Sequence, residues 1–235
     1  MKTISAFFVV TGLTAGLHMA TAGDITGTIT LNGTPPPEKE IADIRTDVNC
    51  GKLHTEAVKT RFFVVGSKGE LADVFVTLKG ISGKSAGDKA EPIVIDQKGC
   101  EYLPYVTACQ TGQKIVVKNS DPVLHNIHPT PAATGNKEEN KAQMPGGADL
   151  TFTFPTAENF LRFKCDVHPW MFAYVNVADH PYFAVTGKEG TFKIANVPPG
   201  KYTLEATHRK AGSVTKEIEV TGDGAKADLV LELKK

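Results

Sequence analysis

Short runs of alternating apolar and polar residues, separated by turn-forming residues, dominate this chain after residue 22. The run from Ile25 to Leu31 alternates and ends at Asn32-Gly33, a dipeptide typical of tight turns. Gly, Pro, Asn or Asp separates most of the later runs. Only residues 38–45 and 136–143 could be helical, and both segments are short. This pattern predicts an all-β protein of sandwich architecture. The other predicted strands are residues 61–65, 74–78, 92–95, 105–109, 114–118, 150–154, 160–164, 174–177, 191–194, 202–207, 215–220 and 227–233.

Residues 1–22 are set apart by composition and predict a bacterial-type Sec signal peptide. Lys2 provides a positive start, Ile4 to Leu17 is mostly apolar and uncharged, and Ala20-Thr21-Ala22 is a small-residue cleavage site. A signal anchor is the alternative, but the apolar run is shorter than the roughly 18 residues that span a bilayer. We therefore expect a periplasmic or otherwise exported protein with no membrane span after cleavage, in a compartment that permits disulfides.

The charge balance narrows the class of partner. Lys plus Arg and Asp plus Glu number 26 each, so the formal net charge is zero. A nucleic-acid-binding protein uses a surplus of basic residues to neutralise phosphates. The composition therefore argues against nucleic acid as a partner.

The chemistry-bearing residues lie in the central segment, residues 91–178. Cys165, His168 and Met171 follow the alternating run 160–164 at three-residue spacing on what we expect to be a short loop. Soft sulfur ligands combined with imidazole favour copper, and two histidines, a cysteine and a distant methionine form the electron-transfer site of blue-copper proteins. The second imidazole is available upstream, from His125 or His128 after the predicted strand 114–118 and its turn.

This segment resembles the cupredoxin family. The order of its motifs matches the family pattern, and the Cys-x2-His-x2-Met spacing is most similar to the short-loop, amicyanin-like members. The resemblance implies a Greek-key β-sandwich with one mononuclear type 1 copper site. His125, Cys165 and His168 would be the equatorial ligands and Met171 the axial ligand. The matching motifs are Tyr102-Leu103-Pro104, Gly112 before residues 114–118, Asn119-Ser120-Asp121, His125-Asn126 and Cys165…His168…Met171.

Some neighbouring residues have more than one interpretation. His128 could also reach a metal, but the family pattern places the ligand at the histidine before Asn126. Trp170 either packs in the core or flanks His168 in an apolar rim where a partner docks. Asp166 departs from the family, which commonly has a small hydroxyl or a similar hydrogen-bonding group there. An adjacent carboxylate would stabilise the oxidised ion and could lower the reduction potential.

The remaining cysteines allow three pairings. Cys50 and Cys100 both stand beside glycine in turn-like contexts, and we favour a disulfide between them. Cys109 lies in an apparent strand, which is consistent with a buried free thiol.

The C-terminal part resembles the carboxypeptidase regulatory-like module, a smaller transthyretin-like β-sandwich. A turn at Gly190, the Pro198-Pro199-Gly200 turn and the alternation from Tyr202 to Leu204 carry the resemblance. Strands similar to the module's first two stand before the copper segment, in residues 23–80. We therefore expect the cupredoxin domain, residues 91–178, to be inserted into a sandwich built from residues 23–80 and 182–235. A simple tandem order is the alternative.

Three functional hypotheses follow. The first is a periplasmic electron carrier that cycles between Cu(I) and Cu(II) and docks with redox partner proteins around His168 and Trp170. The second is a copper chaperone or store, and the third is a metal-free scaffold or adhesion protein. Four protein ligands leave no open coordination position, and common catalytic motifs are absent from the sequence. The expectation from the sequence is therefore that the chain is not an enzyme.

Overall fold

The computed structural model describes residues 21–233 of the chain, which are nearly all β. Residues 1–20, and with them almost all of the predicted signal peptide, lie outside the described residues. Within the described residues, one α-helix, α1 (Ala42–Thr46), and two 3-10 turns, Cys50–Leu53 and Gly87–Lys89, accompany the strands. The strands are β1 (Gly23–Asn32), β2 (Phe75–Leu78), β3 (Ile93–Gln97), β4 (Tyr102–Leu103), β5 (Val106–Gln110), β6 (Ile115–Asn119), β7 (His125–Thr130), β8 (Lys141–Gln143), β9 (Leu150–Phe152), β10 (Glu158–Lys164), β11 (Phe172–Ala178), β12 (Phe183–Val185), β13 (Thr191–Val197), β14 (Gly200–His208), β15 (Gly212–Val220), β16 (Ala225–Lys226) and β17 (Leu229–Glu232).

The strands near both ends of the described chain form one β-sandwich, the outer unit. In its first sheet β1 pairs antiparallel with β13 and parallel with β16 and β17. In the second sheet β2 lies between β12 and β14, and β15 continues the sheet. Ile25 and Ile29 of β1 point into a core that they share with Val76 and Leu204. The strands that precede the central segment are therefore paired with strands that follow it.

The central segment forms a second β-sandwich, the inner unit. One of its sheets has the strand order β5-β11-β10-β7-β8 and the other the order β4-β3-β6-β9. Its core is separate from that of the outer unit and includes the fully buried Ile95, Ile127 and Phe163. Strands β7 and β10 are neighbours in antiparallel register, with His128 opposite Lys164. This pairing brings the start of β7 close to the end of β10.

Residues 33–74 connect β1 to β2, and we call them the strap. The strap crosses onto the inner unit and returns at Leu71 and Val74 to the core of the outer unit. Ile44 and Cys50 of the strap are buried in the core of the inner unit, not in that of the outer unit. A disulfide joins Cys50 to Cys100, as favoured from the sequence, and Cys109 is a buried free thiol. The strap is therefore packed and covalently tied onto the inner unit.

Three local predictions of secondary structure differ from the structure. Residues 61–65 form no strand, because the Glu38 carboxylate accepts hydrogen bonds from the backbone N–H groups of Phe62 and Phe63 that a sheet would use. In residues 38–45 the helix begins only at Ala42. In residues 136–143 the structure has β8, whose three residues pair with β7.

Candidate metal centre

Three elements of the inner unit position the predicted ligands. His125 is the first residue of β7, Cys165 directly follows β10, and His168 and Met171 lie on the short loop that leads into β11. The Met171 N–H donates to the His168 carbonyl (2.9 Å), and the Cys165 N–H donates to the Met171 carbonyl (3.1 Å). These bonds curl the loop into a tight turn at the end of the sandwich.

The donor atoms of His125, Cys165 and His168 all lie within 4.8 Å of one another. The two Nδ1 atoms of the histidines are 3.0 Å apart, and the Cys165 Sγ is 3.8 Å from the Nδ1 of His168. The three residues and Met171 are buried, with at most 6% of any of them exposed. Two imidazole nitrogens and a thiol sulfur that face a common point are the donor set of a trigonal copper site.

The His125 ring is held on its far side by Asp121. The Nε2–H of His125 donates to the Asp121 Oδ2 (2.9 Å), which leaves Nδ1 facing the cluster. The same carboxylate accepts hydrogen bonds from the backbone N–H groups of Gly99 and Cys100 (2.6 and 2.7 Å). Burial opposes a charge on His125, but the hydrogen bonds and charges of Asp121 and Cys165 outweigh it and raise the pKa of His125.

The environment of Cys165 favours its thiolate. Burial alone would raise its pKa, but hydrogen bonds from His125 and from the N–H groups of Asn126 and His168 outweigh burial and lower that pKa. The Asn126 and His168 N–H groups approach Sγ at 3.5 and 3.4 Å. A thiolate is the form in which cysteine binds metals.

Asn126 connects the two segments that carry the predicted ligands. Its side-chain oxygen accepts hydrogen bonds from the N–H groups of Asp166 (2.7 Å) and Val167 (3.3 Å), and it lies 3.2 Å from the Cys165 Sγ. The ligand loop is thereby fixed relative to β7.

His128 is placed away from the cluster. Its Nδ1 is 2.7 Å from the Asp166 Oδ2 and its Nε2 is 2.6 Å from the Glu138 Oε1, so both ring nitrogens are engaged. Among residues 21–233, no group of three metal-binding atoms includes His128. Asp166 also pairs with Lys164 (2.8 Å), and hydrogen bonds from Lys164 and His128 lower the pKa of its carboxyl group.

Two other groups of candidate ligands overlap with this site. Cys50, Cys100 and His168 form one, and Cys100, Asp121 and His125 form the other. Each includes a sulfur of the Cys50–Cys100 disulfide, which has no thiolate to offer. The cluster of His125, Cys165 and His168 is therefore the group in the described part of the chain whose atoms are all free to bind.

The strap changes the surface that the sequence predicted around His168. The His168 ring is only 6% exposed, and sulfur atoms of the Cys50–Cys100 disulfide lie within 4.8 Å of its nitrogen. Trp170 is half-buried, with its ring centroid 5.2 Å from that of His168, and its Nε1–H donates to the Cys100 carbonyl (3.1 Å). Val167 is an exposed large hydrophobic residue of the loop, at 49%. Val48 of the strap is also exposed, at 73%.

Sequence reasoning missed two parts of this site, namely the role of Asp121 and the cover provided by the strap. The sequence motif places Asp121 only in a turn, although its position four residues before His125 is a usable signal. The expected pairing of Cys50 with Cys100 indicates that the strap lies near residue 100. It does not indicate that the strap covers His168.

No protein-family model matches the chain, and no curated protein matches it either. Solved structures that resemble it include a Cu-containing nitrite reductase from Thermus scotoductus SA-01 (17% identity, TM-score 0.34). They also include amicyanin variants in Cu(I) and oxidised forms (21% and 22% identity, TM-score 0.33). The amicyanin matches cover 43% of this chain and 97% of theirs. The nitrite reductase match covers 38% of this chain and spans only 23% of that enzyme.

These similarities correct one prediction from the sequence. The expectation that the chain is not an enzyme was wrong as an exclusion, because the similar structures include a copper-containing nitrite reductase as well as amicyanin.

Proposed function

We propose that this chain binds one copper ion in a mononuclear type 1 site and transfers electrons. His125, Cys165 and His168 are the proposed equatorial ligands, and Met171 is the proposed axial ligand. The observation that carries the proposal is the convergence of two Nδ1 atoms and one sulfur within 4.8 Å in a buried cluster. Bound copper supplies one-electron chemistry between Cu(I) and Cu(II).

The chain's own residues suit this role because hydrogen bonds within the protein hold them in place. Asp121 orients the His125 ring, and Asn126 fixes the loop that carries Cys165. Ligands held by packed strands and hydrogen bonds move little between two oxidation states, which favours fast electron exchange. Burial of the cluster keeps bulk water away from the donor atoms.

The setting of the protein belongs to the same proposal. The composition of residues 1–22 and the Cys50–Cys100 disulfide support an exported, periplasmic protein. No helix within residues 21–233 is long and apolar enough to cross a membrane. Redox partner proteins are proposed to dock at the apolar surface near Val167 and Trp170. The outer unit is proposed to be a transthyretin-like module that serves as scaffold, with the cupredoxin domain inserted into it.

The direct test is the visible spectrum of the full chain on addition of Cu(II). We expect a strong thiolate-to-copper charge-transfer band that vanishes in Cys165→Ser. Cys109→Ser is the matched control, because Cys109 is the other buried free thiol of the inner unit and it should leave the band intact. A colourless, weakly held ion would favour a copper chaperone or store, and no binding would favour a metal-free scaffold.

A further inference from the structure

A cavity of about 350 Å³ lies between the strap and the loop that carries the candidate ligands. Its aromatic wall is formed by Phe62 of the strap together with Tyr105, Trp170 and Phe172 of the inner unit. Met171 also lines it, so an occupant would touch two consecutive residues of the ligand loop. The sequence did not predict this cavity because the strap supplies one side of it.

The volume and the wall suit a small planar molecule. Cavities that bind small organic ligands are typically about 300–1,000 Å³, mostly apolar and aromatic, with a few polar groups that fix orientation. An apolar cavity of only about 150 Å³ holds benzene. The space beside Trp170 therefore admits a single ring with polar substituents.

Basic groups provide the polar side of the cavity. The Arg61 guanidinium lies over the Tyr105 ring, 5.1 Å from its centroid, and one of its nitrogens pairs with Glu101 (2.9 Å). A guanidinium has five N–H donors, so this single ion pair leaves donors for a second carboxylate. Lys39 and Lys59 also line the cavity, and neither forms an ion pair with an acidic residue in the described part of the chain.

The lining has three basic and three acidic side chains, but two of the acidic side chains are engaged by arginines. Glu40 pairs with Arg45 (3.3 Å) and Glu101 pairs with Arg61, which leaves Asp43 as the lining carboxylate without an ion pair in residues 21–233. Two free ammonium groups against one free carboxylate favour an anionic ligand over a cationic one.

We propose that this cavity binds a small aromatic carboxylate. The ring packs against Phe62 and Trp170, and the carboxylate is held by Arg61 with Lys59 at the mouth. The site does not require a bound metal, so it stands independently of the copper proposal. Because its wall includes Trp170 and Met171, an occupant would contact the ligand loop directly.

The test uses the fluorescence of Trp170, which is the only tryptophan of the chain. Benzoate is titrated into the metal-free full chain, and cyclohexanecarboxylate serves as a ligand of equal charge without an aromatic ring. We expect a saturable change in Trp170 emission with benzoate and a weaker response with cyclohexanecarboxylate. An unchanged emission, or an equal response to both carboxylates, overturns the proposal.

Substitutions locate the binding. Arg61→Lys removes the planar donor set and should weaken benzoate binding about 10-fold or more, the effect of losing a charge-assisted hydrogen bond. Ala42→Phe, at an exposed residue of the lining, should block the cavity without breaking an ion pair. Lys118→Gln, on exposed β6 surface away from the cavity, is the control and should bind as the unchanged chain does. A response that persists at full strength in Ala42→Phe and Arg61→Lys would place benzoate elsewhere and overturn the assignment.

Discussion

At the scale of single residues, Asp121 links the disulfide-bearing turn to a proposed copper ligand. Its carboxylate accepts hydrogen bonds from Gly99, Cys100 and His125, and it is 5% exposed. Burial alone would raise the pKa of Asp121, but these three hydrogen bonds outweigh burial and lower it. The hydrogen bond between this carboxylate and the Nε2 of His125 orients the ring so that Nδ1 faces the cluster.

Asp121→Asn tests this positioning role. Partners that orient a metal-binding histidine are typically worth about 10–100-fold in metal affinity, and we expect a loss of that size. The measurement is a copper titration against a competing chelator. Asp149→Asn, at an exposed carboxylate, is the matched control. Equal copper affinity of the two variants would show that Asp121 does not position His125.

At the scale of elements, the strap covers the end of the inner unit at which His168 lies. The Glu38 carboxylate accepts hydrogen bonds from the backbone of Phe62 and Phe63 and from the Thr60 hydroxyl, which closes the strap on itself. Ile44 and the Cys50–Cys100 disulfide fasten it to the inner unit. Apolar burial and a covalent bond thus act together in covering His168.

Removal of the disulfide should loosen this cover. For two cysteines 50 residues apart, chain entropy predicts that Cys50→Ala with Cys100→Ala lowers the free energy of unfolding by about 4 kcal/mol. Hydrogen exchange should accelerate in residues 41–58 and stay unchanged in β14 and β15 of the outer unit. Unaltered exchange in the strap would mean that apolar packing alone holds it over His168.

At the scale of the whole molecule, residues 21–233 contain two cores, and strands from both ends of this described range build the outer unit. Ile29 is buried in the outer core and Ile95 in the inner core. A smaller cluster around Tyr105 and Tyr174, with Val185 of β12 packed against it, lies where the two units meet. The cores are thus distinct, although their surfaces touch.

Ile29→Ala and Ile95→Ala test whether the two cores unfold separately. Each substitution empties a fully buried site and should cost about 2–5 kcal/mol. Calorimetry should resolve two transitions, with Ile29→Ala lowering one midpoint and Ile95→Ala the other. A single transition that both variants shift equally would show that the molecule unfolds as one unit.

The success of sequence reasoning also depended on scale. Alternation predicted most strands, including β1, β6 and β10, because each buries one face in a core. The spacing of Cys165 and His168 predicted that their side chains face one another, because two residues on one short loop need little information from the rest of the fold. Contacts distant in sequence were not predictable, as the capture of the Phe62 and Phe63 N–H groups by Glu38 and the packing of Ile44 on the inner unit show. These depend on where the strap crosses, and alternation carries no information about that.

The most direct test of the copper proposal is the anomalous difference map of copper-loaded crystals, recorded at the copper absorption edge. One peak is predicted, bounded by the Nδ1 of His125, the Sγ of Cys165 and the Nδ1 of His168. A peak beside His128, between Asp166 and Glu138, or no peak at all would contradict the proposed site.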